Sequence, residues 1–422
     1  MSAAVIADTG RREIEVISLV GFGHGVSHFF HLMIPPLFPW LMQEFGLNFT
    51  QVGATTAVFF FVSGIGQALA GFIVDHVGAR RVLLGGIALF AVAAVTLATA
   101  PHYAALLLAA GLAGLGNSVF HPADFTLLNR NIASRRLGHA FSVHGLSGNL
   151  GWALAPVFMA GIAVAADWRT AAFAAAGVAV IAFILILLRR ETLIERTSEC
   201  EARGRETISI DSRIQTDHAT PVELSSSTFA FLGSGAVWMC FVFFFLVTMA
   251  FGALQNYAPP LLNHMYGLSL AAGASSLTAF LLGGAAGMAF GGFLVARNEA
   301  HDRRIAVALI AAALFALVIA SGAIPGWSVM PMMVMTGFCG GVAGPSRDML
   351  VRRAATARFG HRSFGRVYGF VYSGLDTGLA VAPFIFGALM DAGRFPMVLW
   401  GVAVLQGLAV FAALQVGRAA RA

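Results

Sequence analysis

The 422-residue chain contains no lysine: all 26 of its basic Lys/Arg positions are arginine. A phosphate-binding G-x-x-x-x-G-K-[ST] loop is therefore impossible, and ATP-driven transport through such a loop is excluded. Charge of either sign is scarce, at 11% against 58% hydrophobic residues, where soluble domains carry about 25% charged residues. A water-soluble globule does not fit that balance. The three cysteines, Cys200, Cys240 and Cys339, follow no spacing that would suggest a disulfide framework or a thiolate metal site. Neither H-E-x-x-H nor G-x-S-x-G occurs, so no enzyme is expected, and no cofactor. Short alternating strands are missing as well: runs such as Ala88-Leu89-Phe90-Ala91-Val92-Ala93-Ala94-Val95 are apolar on every side, which argues against a membrane β-barrel.

What the chain does have is membrane-length apolar segments. Twelve are read at 17–43, 50–74, 82–100, 103–129, 139–166, 170–188, 229–258, 268–296, 305–323, 328–350, 364–390 and 396–416, each long enough to cross a bilayer core of about 30 Å. The first follows Arg11-Arg12 and is too long for the apolar core of a cleaved leader. With both termini placed in the cytoplasm, 24 arginines fall inside and only Arg169 and Arg394 outside, as positive-inside asymmetry requires. The net charge of +6 thus reports topology, and no nucleic-acid partner is expected. Trp40, Trp168 and Trp327 sit at outer segment ends, where aromatic anchors belong.

The second half repeats the first. His31-Leu32-Met33-Ile34-Pro35-Pro36-Leu37 recurs as Gln255-Asn256-Tyr257-Ala258-Pro259-Pro260-Leu261, and Gly71-Phe72-Ile73-Val74-Asp75 as Gly292-Phe293-Leu294-Val295-Ala296. Pro122 to Asp124 matches Pro345 to Asp348, and Gly138, Gly151 and Pro156 match Gly365, Gly378 and Pro383. A duplicated set of membrane helices with a site between its halves is how many secondary transporters are built. The expected architecture is an all-α integral membrane protein: two pseudo-symmetric six-helix bundles, 1–188 and 229–422, joined by a cytoplasmic linker at 189–228. That linker holds six arginines and eight acidic residues and is expected to be flexible, with a short surface helix near 191–206 as the one alternative. No appended signalling domain is expected. Glycine and alanine are dense within the helices, as in Gly283-Gly284-Ala285-Ala286-Gly287; they serve close packing or sliding of one half on the other.

Gly71-Phe72-Ile73-Val74-Asp75-His76-Val77-Gly78-Ala79-Arg80-Arg81 resembles the G-x-x-x-D-[RK]-x-G-[RK]-[RK] signature of the major facilitator superfamily, in the loop where that family has it. His76 and Ala79 depart from the usual basic residues. The resemblance implies a cytoplasmic latch built from Gly71, Asp75, Gly78, Arg80 and Arg81, in which the carboxylate meets Arg130 or the helix start around Ser363 to Gly365. Ala296 replaces the acid in the second half, so one strong latch is expected. Gly116-Asn117-Ser118-Val119-Phe120-His121-Pro122-Ala123-Asp124, with Gly138 to Ser142 and Gly148-Asn149-Leu150-Gly151, resembles the fosmidomycin-resistance-type branch of that superfamily, which implies proton-driven export of a small molecule. Gly151 to Pro156 is similar to the G-x-x-x-G-P element of family antiporters, with Ala155 in place of the second glycine. Gly151, Pro156, Gly378 and Pro383 are therefore expected to bend helices 5 and 11.

An ionised carboxylate at mid-bilayer costs about 2.5–3.5 kcal/mol on insertion scales. Asp376 lies nearest a segment centre, Asp124 and Asp348 nearer the cytoplasmic ends. Asp376 aligns with Asn149 in the repeat. It is the first candidate for proton coupling, with His121 and His28 beside it; the alternative is an acid locked by neighbouring helices. His24, His28 and His31, at i, i+4 and i+7, share one face of helix 1, and His144 in helix 5 adds to them. The family resemblance puts helices 1, 4, 7 and 10 around the solute, which gives His28, His31, Asn117, His121, Gln255 and Asn256 as candidate binding residues and Met332, Met335 and Cys339 as apolar lining; His24 and Asn149 of helix 5 complete the candidate binding set. Three histidines over two turns cannot all reach one ion, but two of them with His121 or Asp376 would make a transient metal site; no resident metal is assigned. The central region offers no arginine to a strongly anionic solute. The expected function is proton-coupled efflux of a drug or metabolite by a monomer in a bacterial inner membrane. The alternative is uptake of a small metabolite, or metal or siderophore transport.

Overall fold

In the computed structural model, residues 3–194, 233–295, 301–359 and 364–419 are described. Every span is helical, and no strand occurs among the described residues. Twelve spans are long and apolar enough to cross a membrane: Gly10–Phe45, Phe49–Val77, Ala79–Ala98, Tyr103–Asn131, Arg136–Ala165, Trp168–Leu188, Gly235–Tyr266, Leu270–Leu294, His301–Ala320, Gly326–Arg347, Phe370–Asp391 and Phe395–Arg418. They are spans 1–12 below. The linker predicted at 189–228 falls almost wholly outside the described residues. Its first residues turn back onto the first half, where Arg12 donates to the carbonyls of Thr192 and Ile194 at 3.3 and 3.1 Å.

The two halves are packed alike. In the first, spans 1 and 5, 2 and 4, 3 and 4, and 3 and 6 pair along their lengths; the second repeats this as 7 and 11, 8 and 10, 9 and 10, and 9 and 12. The seam between halves follows the same symmetry, with span 2 against span 11 and span 5 against span 8. Glycines set these crossings. A Cβ on Gly151 would lie 2.0 Å from the Gly25 carbonyl oxygen, and one on Gly378 would lie 2.5 Å from that of Phe245. These two repeat-related positions, expected as bends, are where spans 5 and 11 cross spans 1 and 7 backbone to backbone. Helix runs unbroken through Pro156 and Pro383.

Proline breaks the helix at two other places. Span 1 is helical to His31, forms a 3₁₀ turn over Pro35–Leu37, and resumes at Phe38–Phe45. Span 4 is interrupted between Asn117 and Phe120: Pro122 lacks an N–H for the Ser118 carbonyl, and its ring crowds that oxygen. Span 7 differs from the prediction. It was expected to stop at Ala258, before the repeat of the proline pair, yet the helix continues through Pro259 and Pro260 to Tyr266 and ends at left-handed Gly267. Pro259 lies against Gly273 of span 8, where a Cβ would come within 2.9 Å of it, and Asn263 donates to the Leu268 carbonyl at 2.7 Å. Packing holds the second copy helical where the first breaks.

The described arginines gather at one end of the bundle, and Arg169 and Arg394 stand at the other. Arg169 is paired there with Glu44 at 2.5 Å and donates to the Ala98 carbonyl. Asp167 caps span 6: the Thr170 backbone N–H and hydroxyl hold its carboxyl below the usual range.

Candidate functional site

Two polar layers are stacked in the first half. In the first, Asn117 ties three spans together: its Oδ1 accepts from the Ser27 hydroxyl at 2.5 Å and from His31 Nε2 at 2.8 Å, while its amide donates to Ser63 Oγ at 2.8 Å. Trp152 Nε1 donates to His31 Nδ1 at 3.2 Å. The indole fixes the tautomer, because a nitrogen that accepts from Trp152 carries no proton, so Nε2 must be the donor. His31 is thus a neutral, fully engaged ring in a closed network.

In the second layer, His24, His28, His121 and His144 crowd around Asp124. The Asp124 side chain is 0% exposed; its Oδ2 accepts from His144 Nε2 at 3.0 Å and lies 3.3 Å from His24 Nδ1. His24 stacks on His144 with ring centroids 3.5 Å apart, while His28 and His121 follow at 4.3 and 5.3 Å from His24. His121 gives its Nδ1 side to Gln67 Oε1 of span 2 at 3.0 Å. Two sets of three could hold a metal, His24–Asp124–His144 and His24–His28–His121, their ligand atoms within 4.8 Å of one another. Asp124, Gln67 and Trp152 were not among the predicted site residues, and His144 was named only as an addition to the histidines of helix 1. Asp124 had a legible signal, since it lies three positions after His121 on one helical face.

Asp376 sits elsewhere. It lines a cavity of about 1000 Å³ between spans 2 and 11, whose wall is mostly apolar, including Phe60, Ile65, Val381 and Phe384. Gly64 of span 2 faces its side chain. Among the described residues Asp376 has no hydrogen-bond or ion-pair partner. Gln67 lines the same cavity, so one amide connects the wall around Asp376 with His121. Among the described residues the cavity lining contains no arginine.

The remaining predicted residues are scattered. Asn149 donates to the Gly145 carbonyl at 2.9 Å and touches Met288 of span 8. Gln255 and Asn256 are buried; Asn256 accepts from the Thr56 hydroxyl at 2.6 Å, across the seam, and donates to Gly252. Neither is among the residues that line the cavity around Asp376. In the latch motif, Gly78 takes a φ of 92° that ends span 2, and Arg80 donates to the Arg190 carbonyl at 3.1 Å. Arg81 follows it at the start of span 3. Asp75 is exposed and forms no ion pair among the described residues. Ser363 lies outside them.

The major facilitator superfamily model matches residues 20–358. The chain belongs to that superfamily. Among curated relatives it is 31% identical over 158 residues to the fosmidomycin resistance protein of Escherichia coli, covering 37% of this chain and 39% of that protein. It is 29% identical over 279 residues to a probable 4-methylmuconolactone transporter of Cupriavidus pinatubonensis, covering 64% and 58%. A multidrug resistance protein B homolog of Mycobacterium tuberculosis is 26% identical over 128 residues, covering 30% and 24%. The matched stretches span well under two thirds of these relatives' lengths. With twelve spans long and apolar enough to cross a membrane, a member of this superfamily is a multi-pass membrane protein.

Proposed function

We propose that this transporter is a proton-coupled exporter of a neutral or cationic amphipathic molecule, working by alternating access with Asp376 as the proton-exchanging group. The observation that carries the reading is an acid with no partner among the described residues, set in a mostly apolar cavity at the seam between halves. A carboxylate there costs several kcal/mol to bury, so protonation and solute binding compete for the same group. A solute cation neutralises it as a proton does, which is the exchange an antiporter needs. A cavity without arginine does not suit a strongly anionic cargo. The efflux-type names of two relatives point the same way.

With arginines cytoplasmic and both termini inside, the conformation described faces inward. Hydrogen bonds between the halves then concentrate towards the outer side, at Asp391, Tyr257 and Thr56. The latch around Asp75 engages in the opposite conformation. Inside-out vesicles with an imposed pH gradient test this, with a fluorescent lipophilic cation as probe. Gradient-driven accumulation is expected for the wild type. Asp376→Asn should abolish it; gradient-driven flux that survives in the variant ends the coupling role. Accumulation only in right-side-out vesicles would instead establish uptake, the direction suited to a lactone carrier.

A further inference from the structure

The layer around Asp124 is built differently from the layer around Asn117, and the difference has chemical content. The Asn117 layer closes on itself, every ring nitrogen of His31 having a partner. One turn of span 1 away, the buried polar atoms His24 Nδ1, Asp124 Oδ1 and both ring nitrogens of His28 have no hydrogen-bond partner among the described residues. Buried polar groups in folded proteins are almost always satisfied. His24 is 2% exposed and Asp124 0%, so bulk water does not serve them.

We propose that His24, Asp124 and His144 form a binding site for one divalent first-row transition-metal ion of the zinc class. His28 and His121 offer a second three-ligand position around the same His24 ring. Two imidazoles and a carboxylate are a standard donor set for Zn²⁺. Donors about 2.0–2.2 Å from a tetrahedral ion lie about 3.3–3.6 Å apart, and the donor atoms here already stand 3.0 and 3.3 Å from Asp124 Oδ2. The cation takes the place of the His144 Nε2 proton, which moves to Nδ1 of that ring, and gives the orphaned His24 Nδ1 a partner. It also turns a bare buried carboxylate into a neutralised ligand.

Two further features fit. Span 5 carries glycine at 148, where a Cβ would stand 2.8 Å from His28 Nδ1 and 3.0 Å from His24 Nε2; the missing side chain is the space the two imidazoles occupy. His121 hands its Nδ1 side to the Gln67 carbonyl oxygen, the outer-shell hydrogen bond that orients a ligating imidazole. Because both donor sets use His24, one ion is held at a time.

The site stands apart from Asp376, and its test does not use transport. Full-length protein, purified in detergent without a histidine tag and stripped with chelator, is titrated with Zn²⁺ by calorimetry and with Co²⁺ by visible absorption. One equivalent is expected to bind, and Co²⁺ should show the intense ligand-field bands of a tetrahedral site. His24→Ala should weaken Zn²⁺ affinity at least about 100-fold and Asp124→Asn at least about tenfold. His31→Ala, in the neighbouring layer, and His102→Ala, at a distant helix cap, should leave it within about threefold. Gly148→Ala keeps every ligand yet crowds His24 and His28, and should weaken binding while the protein stays monodisperse. No stoichiometric binding to the wild type overturns the proposal whatever the variants do. So does Zn²⁺ affinity unchanged in His24→Ala, which assigns the binding to surface histidines.

Discussion

Two acids close to the seam, Asp75 and Asp391, stand at opposite ends of the bundle and are in opposite circumstances. At the arginine-rich end Asp75 is exposed and forms no ion pair among the described residues. At the arginine-poor end Asp391 of span 11 reaches across to the start of span 2. It accepts from the backbone N–H groups of Phe49 and Thr50 at 2.6 and 3.0 Å and from the Thr50 hydroxyl at 2.6 Å. The family resemblance implied a latch at Asp75, its carboxylate on Arg130 or on the helix start around Ser363 to Gly365. The same physics is realised here at the other end, where free N–H groups and the helix dipole favour an anion. The proposed alternating-access cycle needs one such clasp at each end, engaged in turn.

The comparison can be broken most forcefully at Gly53. A Cβ there would lie 2.1 Å from the Tyr257 hydroxyl and 2.9 Å from Pro383 Cβ, so Gly53→Ala should force the arginine-poor end apart at a cost of about 1–3 kcal/mol. Spin labels on spans 2 and 11 should report a longer distance distribution. Adding Tyr257→Phe should restore most of the closed population, because it removes the nearest obstacle; no rescue would mean that the hydroxyl is not what is struck. Asp391→Ala comes next. It strips an anionic cap from span 2 and should shift the closed population about 5- to 30-fold, or about 1–2 kcal/mol, with Asp391→Asn falling between it and the wild type. Tyr257→Phe alone loses hydrogen bonds to the Phe49 and Pro383 carbonyls and should shift it about fivefold, near 1 kcal/mol. Asp75→Ala should change the thermal stability of this conformation by less than about 0.5 kcal/mol while slowing turnover in the vesicle assay. A large loss of stability would show that Asp75 already carries a contact here.

The halves also differ in what their shared motif became. His31 and its repeat partner Gln255 precede the same proline pair. In the first copy the helix breaks and His31 joins a network inside its own half. In the second it stays intact, and the neighbouring Asn256 and Tyr257 reach over to Thr56 and Phe49. One copy became an internal tie and the other a seam.

Much of this was open to reading in the residues. The spans, the repeat and the arginine asymmetry are properties of some twenty residues at a time, so single errors average out. The histidine face of span 1 was legible from its 3.6-residue period. Its partners were legible only in part: His121 and His144 were named beside it, Asp124 and Trp152 were not. The break after Asn117 interrupts the helical register, so which side chains of spans 1 and 5 Asp124 meets could not be counted along the chain. Pro259 and Pro260 misled for a related reason, since proline disfavours helix locally while tight packing against span 8 holds it.

The amino-acid order by itself determined a lysine-free, twelve-span, duplicated membrane bundle and its family, because bilayer thickness and charge placement act on each segment alone. Only the tertiary structure decided that His24, Asp124 and His144 meet, that Asp376 faces an apolar cavity, and that the clasp at Asp391 is the one engaged. Those outcomes depend on distances between spans, and such distances are set by which glycines let two backbones touch.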